Sequence, residues 1–216
     1  MNPPPPMIGL LLAGGHGRRA GGPKALKRLD GRLLWRVHAD ALHRAGCVRV
    51  VAVLHPSAMP SDGPDDEADP DEAGAGAEPR WLRCVAADPD GPMFASLQLG
   101  LQQIESAAAV LLQPVDAGRV LPATVAALRR GFDPDAAARV CVVRPKLGAR
   151  TGHPLLLHPS ACARLREADP AATRLDHWIA ALHVERRRDV DVDDPEVLAN
   201  YNRDGTGAGG NAGAAR

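Results

Sequence analysis

A cluster of glycine and basic residues directly behind an apolar run carries the clearest chemistry in this chain: Leu10-Leu11-Leu12-Ala13-Gly14-Gly15-His16-Gly17-Arg18-Arg19-Ala20-Gly21-Gly22-Pro23-Lys24. Glycine has no Cβ, so its backbone can take positive φ and come within hydrogen-bonding distance of a ligand. Five glycines fall among the eleven residues from Gly14 to Lys24. Successive N–H groups can therefore converge on an anion, and Arg18, Arg19 and Lys24 add positive charge at the same place. This chemistry suits a polyphosphate. A Walker-type loop requires Gly-x4-Gly-Lys-Ser/Thr, but here Pro23 separates Gly22 from Lys24, and Ala25 stands where a magnesium-binding hydroxyl belongs. Gly15-x-Gly17-x-x-Ala20 satisfies the loose dinucleotide pattern. Against it, the second strand ends in His55 rather than a ribose-binding acid, and Gly21-Gly22-Pro23 would break the helix that should start there. A glycine-rich connection with solvated basic residues is the reading that needs no ligand.

The loop also resembles the signature of the nucleotidyltransferases related to the molybdenum-cofactor cytidylyl- and guanylyltransferases, roughly L-A-[AG]-G-x-[SGA]-x-R-M-G-x-x-K. Ala13, Gly15, Gly17, Gly21 and Lys24 fall in register, Arg18 is assigned as the arginine, and Ala20 replaces the methionine. The resemblance implies that Leu12, Ala13, Gly14, Gly15, Gly17, Arg18 and Lys24 wrap the triphosphate of an NTP, with Arg18 and Lys24 holding its charge.

Four later segments extend the resemblance in the family's order. Gly91-Pro92-Met93-Phe94-Ala95-Ser96-Leu97 is similar to the loop placed against the nucleobase, implying contacts from Gly91 and Ser96. It mixes a guanylyl-type Gly-Pro start with a cytidylyl-type Ser-Leu end, and Ser96 could instead bond within its own helix. Pro114-Val115-Asp116-Ala117-Gly118 resembles a P-x-D-x-P element, with Gly118 where a proline is common. A carboxylate just past a strand end suits magnesium, which takes oxygen ligands and keeps several waters; Asp is also an ordinary turn or cap residue. Gly152-His153-Pro154-Leu155-Leu156-Leu157 is similar to an element that lines the acceptor side of the cleft, implying an acceptor contact from His153. Asp189 to Glu196 resembles D-[IV]-D-T-P-E-D, with Asp194 for threonine and Val197 for the final acid. Asp193 would then be a second metal ligand or, otherwise, one more solvated acid near a helix start.

These residues need a scaffold, and the chain supplies its elements in α/β order. Met7 to Leu12 reads as a strand buried on both faces, followed by a helix over residues 31–45, a strand at 48–54, and a strand at 81–86. Further on come a helix at 93–106, a strand at 108–112, a helix at 122–130, and a strand at 139–143. Helices at 159–168 and 171–182 follow, and alternating Val and Asp near 189–193 marks a strand with one wet face. Residues 56–80 are acidic and poor in apolar side chains, which predicts a mobile insertion after a strand end. Residues 1–6 read as a stiff lead and 204–216 as a flexible tail, leaving a single domain over 7–203.

Composition limits the partners. With 26 basic and 26 acidic residues among 216, the net charge is zero, which gives no electrostatic case for nucleic acid or an anionic membrane. Four scattered cysteines show no C-x-x-C pair, consistent with reduced thiols in a cytoplasmic protein. No apolar stretch approaches membrane-spanning length. The expectation is a three-layer α/β/α domain with a mostly parallel sheet, the Rossmann-like nucleotidyltransferase fold that the resemblance implies. It implies also Mg²⁺, with Mn²⁺ as substitute, an NTP with CTP favoured, and a phosphate-bearing acceptor, molybdopterin first. A molybdoenzyme-maturation factor would be the protein partner. GTP with molybdopterin, a sugar or polyol phosphate acceptor, and a nucleotide-binding module without turnover are the alternatives.

Overall fold

A computed structural model describes residues 5–17, 21–60, 81–132 and 140–201. The apolar run after the N-terminal prolines becomes β1 (Met7–Ala13), every residue of which is buried. A strand buried on both faces must have neighbours on both edges, and β1 has them: β4 (Arg49–Leu54) and β6 (Ala109–Pro114), both parallel to it. Parallel pairing needs long crossovers, which the intervening helices provide. β5 (Leu82–Ala86) adds to β4 in parallel. On the other side β9 (Leu155–Leu157) runs antiparallel between β6 and β7 (Val142–Leu147), and β10 (Arg187–Asp191) closes that edge parallel to β7. The order is β10-β7-β9-β6-β1-β4-β5, with β8 (Arg150–Thr151) hairpinned onto β7. The sheet is thus mixed, and mostly parallel.

Alternate side chains of the strands feed two cores, one on each face. On one face Leu11, Ala52 and Leu111 meet α1 (Leu34–Arg44) through Trp35, Ala39 and Leu42, and α3 (Pro122–Gly131) through Val125 and Leu128. On the other, Leu10, Val53 and Leu112 meet α2 (Met93–Gln102) through Phe94, Leu97 and Leu101. The same face takes α4 (Pro159–Glu167) through Cys162 and Leu165, and α5 (Leu175–Ala181) through Ile179. This is the expected three-layer arrangement.

Several boundaries differ from the sequence expectation. The helix expected over 31–45 begins at Leu34, because Asp30 and Gly31 both take positive φ and turn a short hairpin of β2 (Arg28–Leu29) and β3 (Arg32–Leu33). The helix expected to reach residue 106 stops at Gln102. The helix expected from residue 171 starts at Leu175, after an extended Arg174. Pro56–Ala58, at the start of the stretch expected as a mobile insertion over 56–80, form one turn of 3-10 helix with Ala58 buried. Residues 61–80, the lead before residue 5 and the tail after 201 lie outside the described residues.

The Val/Asp alternation does form an edge strand. Asp189 faces Arg144 and Asp191 faces Lys146 in register on β7, at 2.7 Å and 3.1 Å. The chain then returns across the carboxyl end of the sheet. Pro195–Leu198 form a 3-10 helix whose Glu196 carboxylate accepts the Arg119 N–H at 2.9 Å, and Tyr201 N donates to the Asp116 carbonyl at 2.7 Å. This return explains the departures from the family pattern. A Cβ on Gly118 would collide with the Glu196 carbonyl, so a proline there has no room. Asp194 is buried, caps Glu196 N and accepts the Thr124 hydroxyl; Val197 is core, and its carbonyl accepts His153 N at 3.0 Å.

Candidate active site

The carboxyl ends of parallel strands open onto a rim where loops can converge without spoiling the sheet, and ligands of open α/β sheets bind there. Here the loops after β1, β5 and β6 enclose a cleft lined by Leu12, Ala13, Gly14, Gly15, Gly17 and Lys24 on one side. Asp88, Pro89, Gly91, Met93 and Ser96 form the opposite wall, and Pro114, Val115 and Asp116 the third. Seven residues, Leu12, Ala13, Gly14, Gly15, Gly17, Gly91 and Ser96, expected from sequence at a nucleotide thus share one cleft with Lys24 and Asp116. Gly17 takes φ +59°, and a Cβ there would collide with the Gly22 carbonyl, which makes glycine a requirement of the loop. Its own carbonyl accepts Gly22 N at 3.3 Å and closes the turn.

Lys24 opens a 3-10 turn, Lys24–Leu26, whose Ala25 is fully buried, so the backbone is anchored while the ammonium swings into the cleft. Its Nζ lies 2.9 Å from the Asp116 carboxylate, although 92 positions separate the two in sequence. With side chains 21% and 27% exposed, the pair is partly solvated, so its attraction adds little stability and both groups stay accessible to a ligand. Arg18 lies outside the described residues, as does Arg19. Counted from Ala20, which stands at the methionine, the signature's arginine falls on Arg19, and this corrects the assignment to Arg18.

The remaining expected site residues are placed differently. His153 is half-buried between β8 and β9 and does not line the cleft among the described residues; its Nδ1 is enclosed without a hydrogen-bond partner among them. Burial pushes its pKa down to about 4, opposed by the nearby Asp116 carboxylate, so the ring is neutral at neutral pH. Asp193 is exposed, two residues beyond the edge strand β10, and is absent from the lining of the cleft. The carboxylate beside it, Asp194, is the buried one.

His38 was not expected. It is fully buried on α1, and neither ring nitrogen finds a well-formed hydrogen bond among the described residues, with the Val115 carbonyl nearby. Burial, helped by the Arg119 charge and opposed by Asp116, pushes its pKa down to about 4. His38 thus stands behind the Asp116 turn as a neutral group. Only its helical spacing from Leu34 and Leu42 signalled burial in the sequence, and nothing there linked it to Asp116.

Metal chemistry can be judged from the donors. Among the described residues no group of three or more His, Cys, Asp or Glu converges into a ready-made cage. Accessible carboxylates at the rim, Asp116 with Asp88 on another wall, too few for a cage, fit an ion that takes most of its oxygens from phosphates and water, as Mg²⁺ does, and fit a cage-demanding ion poorly.

A glycine loop behind the first strand, sharing a cleft at the carboxyl rim with a lysine–carboxylate pair, defines a nucleotide-handling α/β domain. The chain belongs to the MobA-like NTP transferase domain family, whose model matches residues 9–187, and is a nucleotidyltransferase by that membership. A nucleotidyl transferase from Methanothermobacter has a similar structure, 22% identical, with a TM-score of 0.63 over 90% of this chain and 92% of that one. The Rv0371c protein of Mycobacterium tuberculosis, in a complex with manganese, is 17% identical with a TM-score of 0.61, over 86% and 88% of the two chains. Molybdopterin-guanine dinucleotide biosynthesis protein A of Archaeoglobus fulgidus is 19% identical with a TM-score of 0.55, over 89% and 87%. At such identities these likenesses speak for the fold. No curated protein matches the chain. No helix among the described residues is long and apolar enough to cross a membrane.

Proposed function

We propose that this protein transfers NMP from an NTP, with CTP preferred, to a phosphate-bearing acceptor, molybdopterin first, and releases pyrophosphate. The observation that carries this reading is the approach of Lys24 Nζ to the Asp116 carboxylate at 2.9 Å, at the mouth of the glycine loop. The loop amides from Gly14 to Gly17 and the Lys24 ammonium hold the β- and γ-phosphates, where charge grows as pyrophosphate leaves. The acceptor's phosphate oxygen attacks the α-phosphorus, and the bond from that phosphorus to the oxygen bridging to the β-phosphate breaks, its electron pair departing with pyrophosphate. The attacking phosphate is already anionic near neutrality, so the step needs positioning and charge neutralisation more than a general base.

Mg²⁺, or Mn²⁺ in its place, would be held by Asp116, with Asp193 as the further candidate, and would neutralise phosphate charge when bound. Lys24 releases Asp116 when the triphosphate arrives, because four phosphate charges draw the ammonium more strongly than one partly solvated carboxylate does. Gly91, Met93 and Ser96 take the base, and His153, behind Asp116, orders the acceptor side as a neutral ring. The Gly91-Pro92 start of the base-side wall favours a second reading, GTP as donor. Pyrophosphate release measured across the four common NTPs, with and without molybdopterin and with sugar phosphates as controls, tests both. Release from CTP alone supports the first reading and release from GTP alone the second. NTP binding without release under any pairing would leave a binding module.

A further inference from the structure

Outside the groups assigned above, one hydrogen-bonded chain joins three loops of the rim. His16 Nε2 lies 3.0 Å from Asp90 Oδ1, His16 Nδ1 lies 3.3 Å from His55 Nε2, and His55 Nδ1 lies 2.8 Å from Ser57 Oγ. Ser57 N–H also points at His55 Nδ1, at 3.2 Å. One proton arrangement satisfies every contact. Ser57 donates to His55 Nδ1, His55 Nε2–H donates to His16 Nδ1, and His16 Nε2–H donates to the Asp90 carboxylate. The two imidazoles meet edge to face, centroids 5.2 Å apart.

Each end of the chain is anchored in its own loop. The Asp88 carboxylate accepts Asp90 N–H at 3.0 Å, fixing the turn that presents Asp90, and His55 N donates to the Ala13 carbonyl at 3.1 Å at the end of β1. The three loops follow β1, β4 and β5, which are adjacent in the sheet. His16 lies between Gly15 and Gly17 on the phosphate side of the cleft; Asp90 lies between Pro89 and Gly91 on the base side. The glycines flanking His16 have no side chains to hold the loop in place, and His16 supplies that hold.

We propose that Asp90-His16-His55 is a clasp that fixes the spacing between the phosphate side and the base side of the nucleotide cleft, making His16 a positioning residue that governs NTP affinity and base discrimination. This rests on the function proposed above. His16 touches no reacting atom in this scheme; it holds the glycine loop at the distance a nucleotide spans, so its loss costs binding and spares the chemical step. The pair with Asp90 is exposed on the Asp90 side, 75% against 33%, which limits each link to a modest effect.

The test is steady-state kinetics with NTP binding by calorimetry, on wild type, His16→Ala, Asp90→Ala, the double variant and His16→Gln, whose amide can still donate to Asp90. Each alanine variant should raise KM and Kd for the preferred NTP by about three- to tenfold, with kcat within about twofold. The double variant should be no worse than His16→Ala alone, because removing His16 already breaks its link to Asp90. His16→Gln should recover part of the affinity, and the preference among the four NTPs should narrow in the alanine variants. Wild type that binds no NTP overturns the proposed function itself. Wild type that binds NTP while the alanine variants bind as well as it does, or a fall in kcat at unchanged KM, overturns the clasp alone. A variant with raised KM but unchanged base preference also counts against it, since the spacing would not then reach the base.

Discussion

The pentapeptide Leu-His-Pro-Ser-Ala occurs twice, at residues 54–58 and 157–161. In both copies the leucine ends a strand, the histidine Nδ1 accepts the serine N–H and approaches its hydroxyl at 2.8 Å, and proline opens a helical turn. Local chemistry is the same, and so is local structure. Beyond the fifth residue they diverge: Met59 precedes Pro60 and is held extended, which stops the first copy after one turn, whereas Cys162 to Glu167 carry the second on as α4. The larger difference is tertiary. His55 ends a parallel strand and turns its free nitrogen to His16 at the rim. His158 ends the antiparallel strand β9, and so sits at the opposite end of the sheet, buried against Phe132 with ring centroids 5.5 Å apart. A side chain's part in a site is set by which end of the sheet its strand reaches, and strand direction is decided by pairing far away in sequence.

The contrast between a functional rim and a structural opposite end can be broken by measurement. The largest expected effect is on turnover: Asp116→Asn and Lys24→Ala should each lower NMP transfer by about 10²- to 10³-fold. Their melting temperatures should stay within ~3 °C of wild type, because a partly solvated pair contributes at most ~1 kcal/mol. A large loss of stability in either would make the rim a structural region after all.

Acid sensitivity probes how dry the rim is behind Asp116. His38 and His153 have pKa values near 4 in the fold, against 6.5 ordinarily, so between those pH values the unfolded chain binds more protons. Stability should therefore be full above about pH 6.5 and fall as pH drops toward 4, by on the order of 3 kcal/mol for fully buried His38 and by less for half-buried His153. Urea unfolding at pH 7 and pH 4.5 measures this, and His38→Gln should flatten the dependence. An unchanged slope in that variant would mean that His38 is not the buried neutral group described.

The two copies of the repeat give the direct comparison. His158→Ala should cost about 2 kcal/mol by denaturant titration, through a lost cap and a buried void, with KM and kcat for the NTP unchanged. His55→Ala, the smallest effect on the fold, should cost under ~1 kcal/mol as a partly exposed cap of a single turn. It should also weaken NTP binding. If the two variants exchange these outcomes, the division between rim and opposite end fails.

Much of this was legible in the chain itself. The apolar run at Met7–Ala13, the glycines behind it and the turn chemistry after each strand fix elements by local rules, and so the three-layer fold and most of the cleft lining could be read in advance. Gly14, Gly91, Ser96 and Asp116 each follow a strand or open a helix, positions that sequence marks clearly. The sequence was silent wherever a contact joins segments far apart: Lys24 with Asp116, His16 with Asp90, His38 behind Val115. It could not say that the chain returns from β10 to clamp Gly118 and bury Asp194. Backbone conformation follows from neighbours along the chain, because sterics and hydrogen bonding act within a few residues. Which side chains meet follows from sheet order and strand direction, and only the packed core decides those.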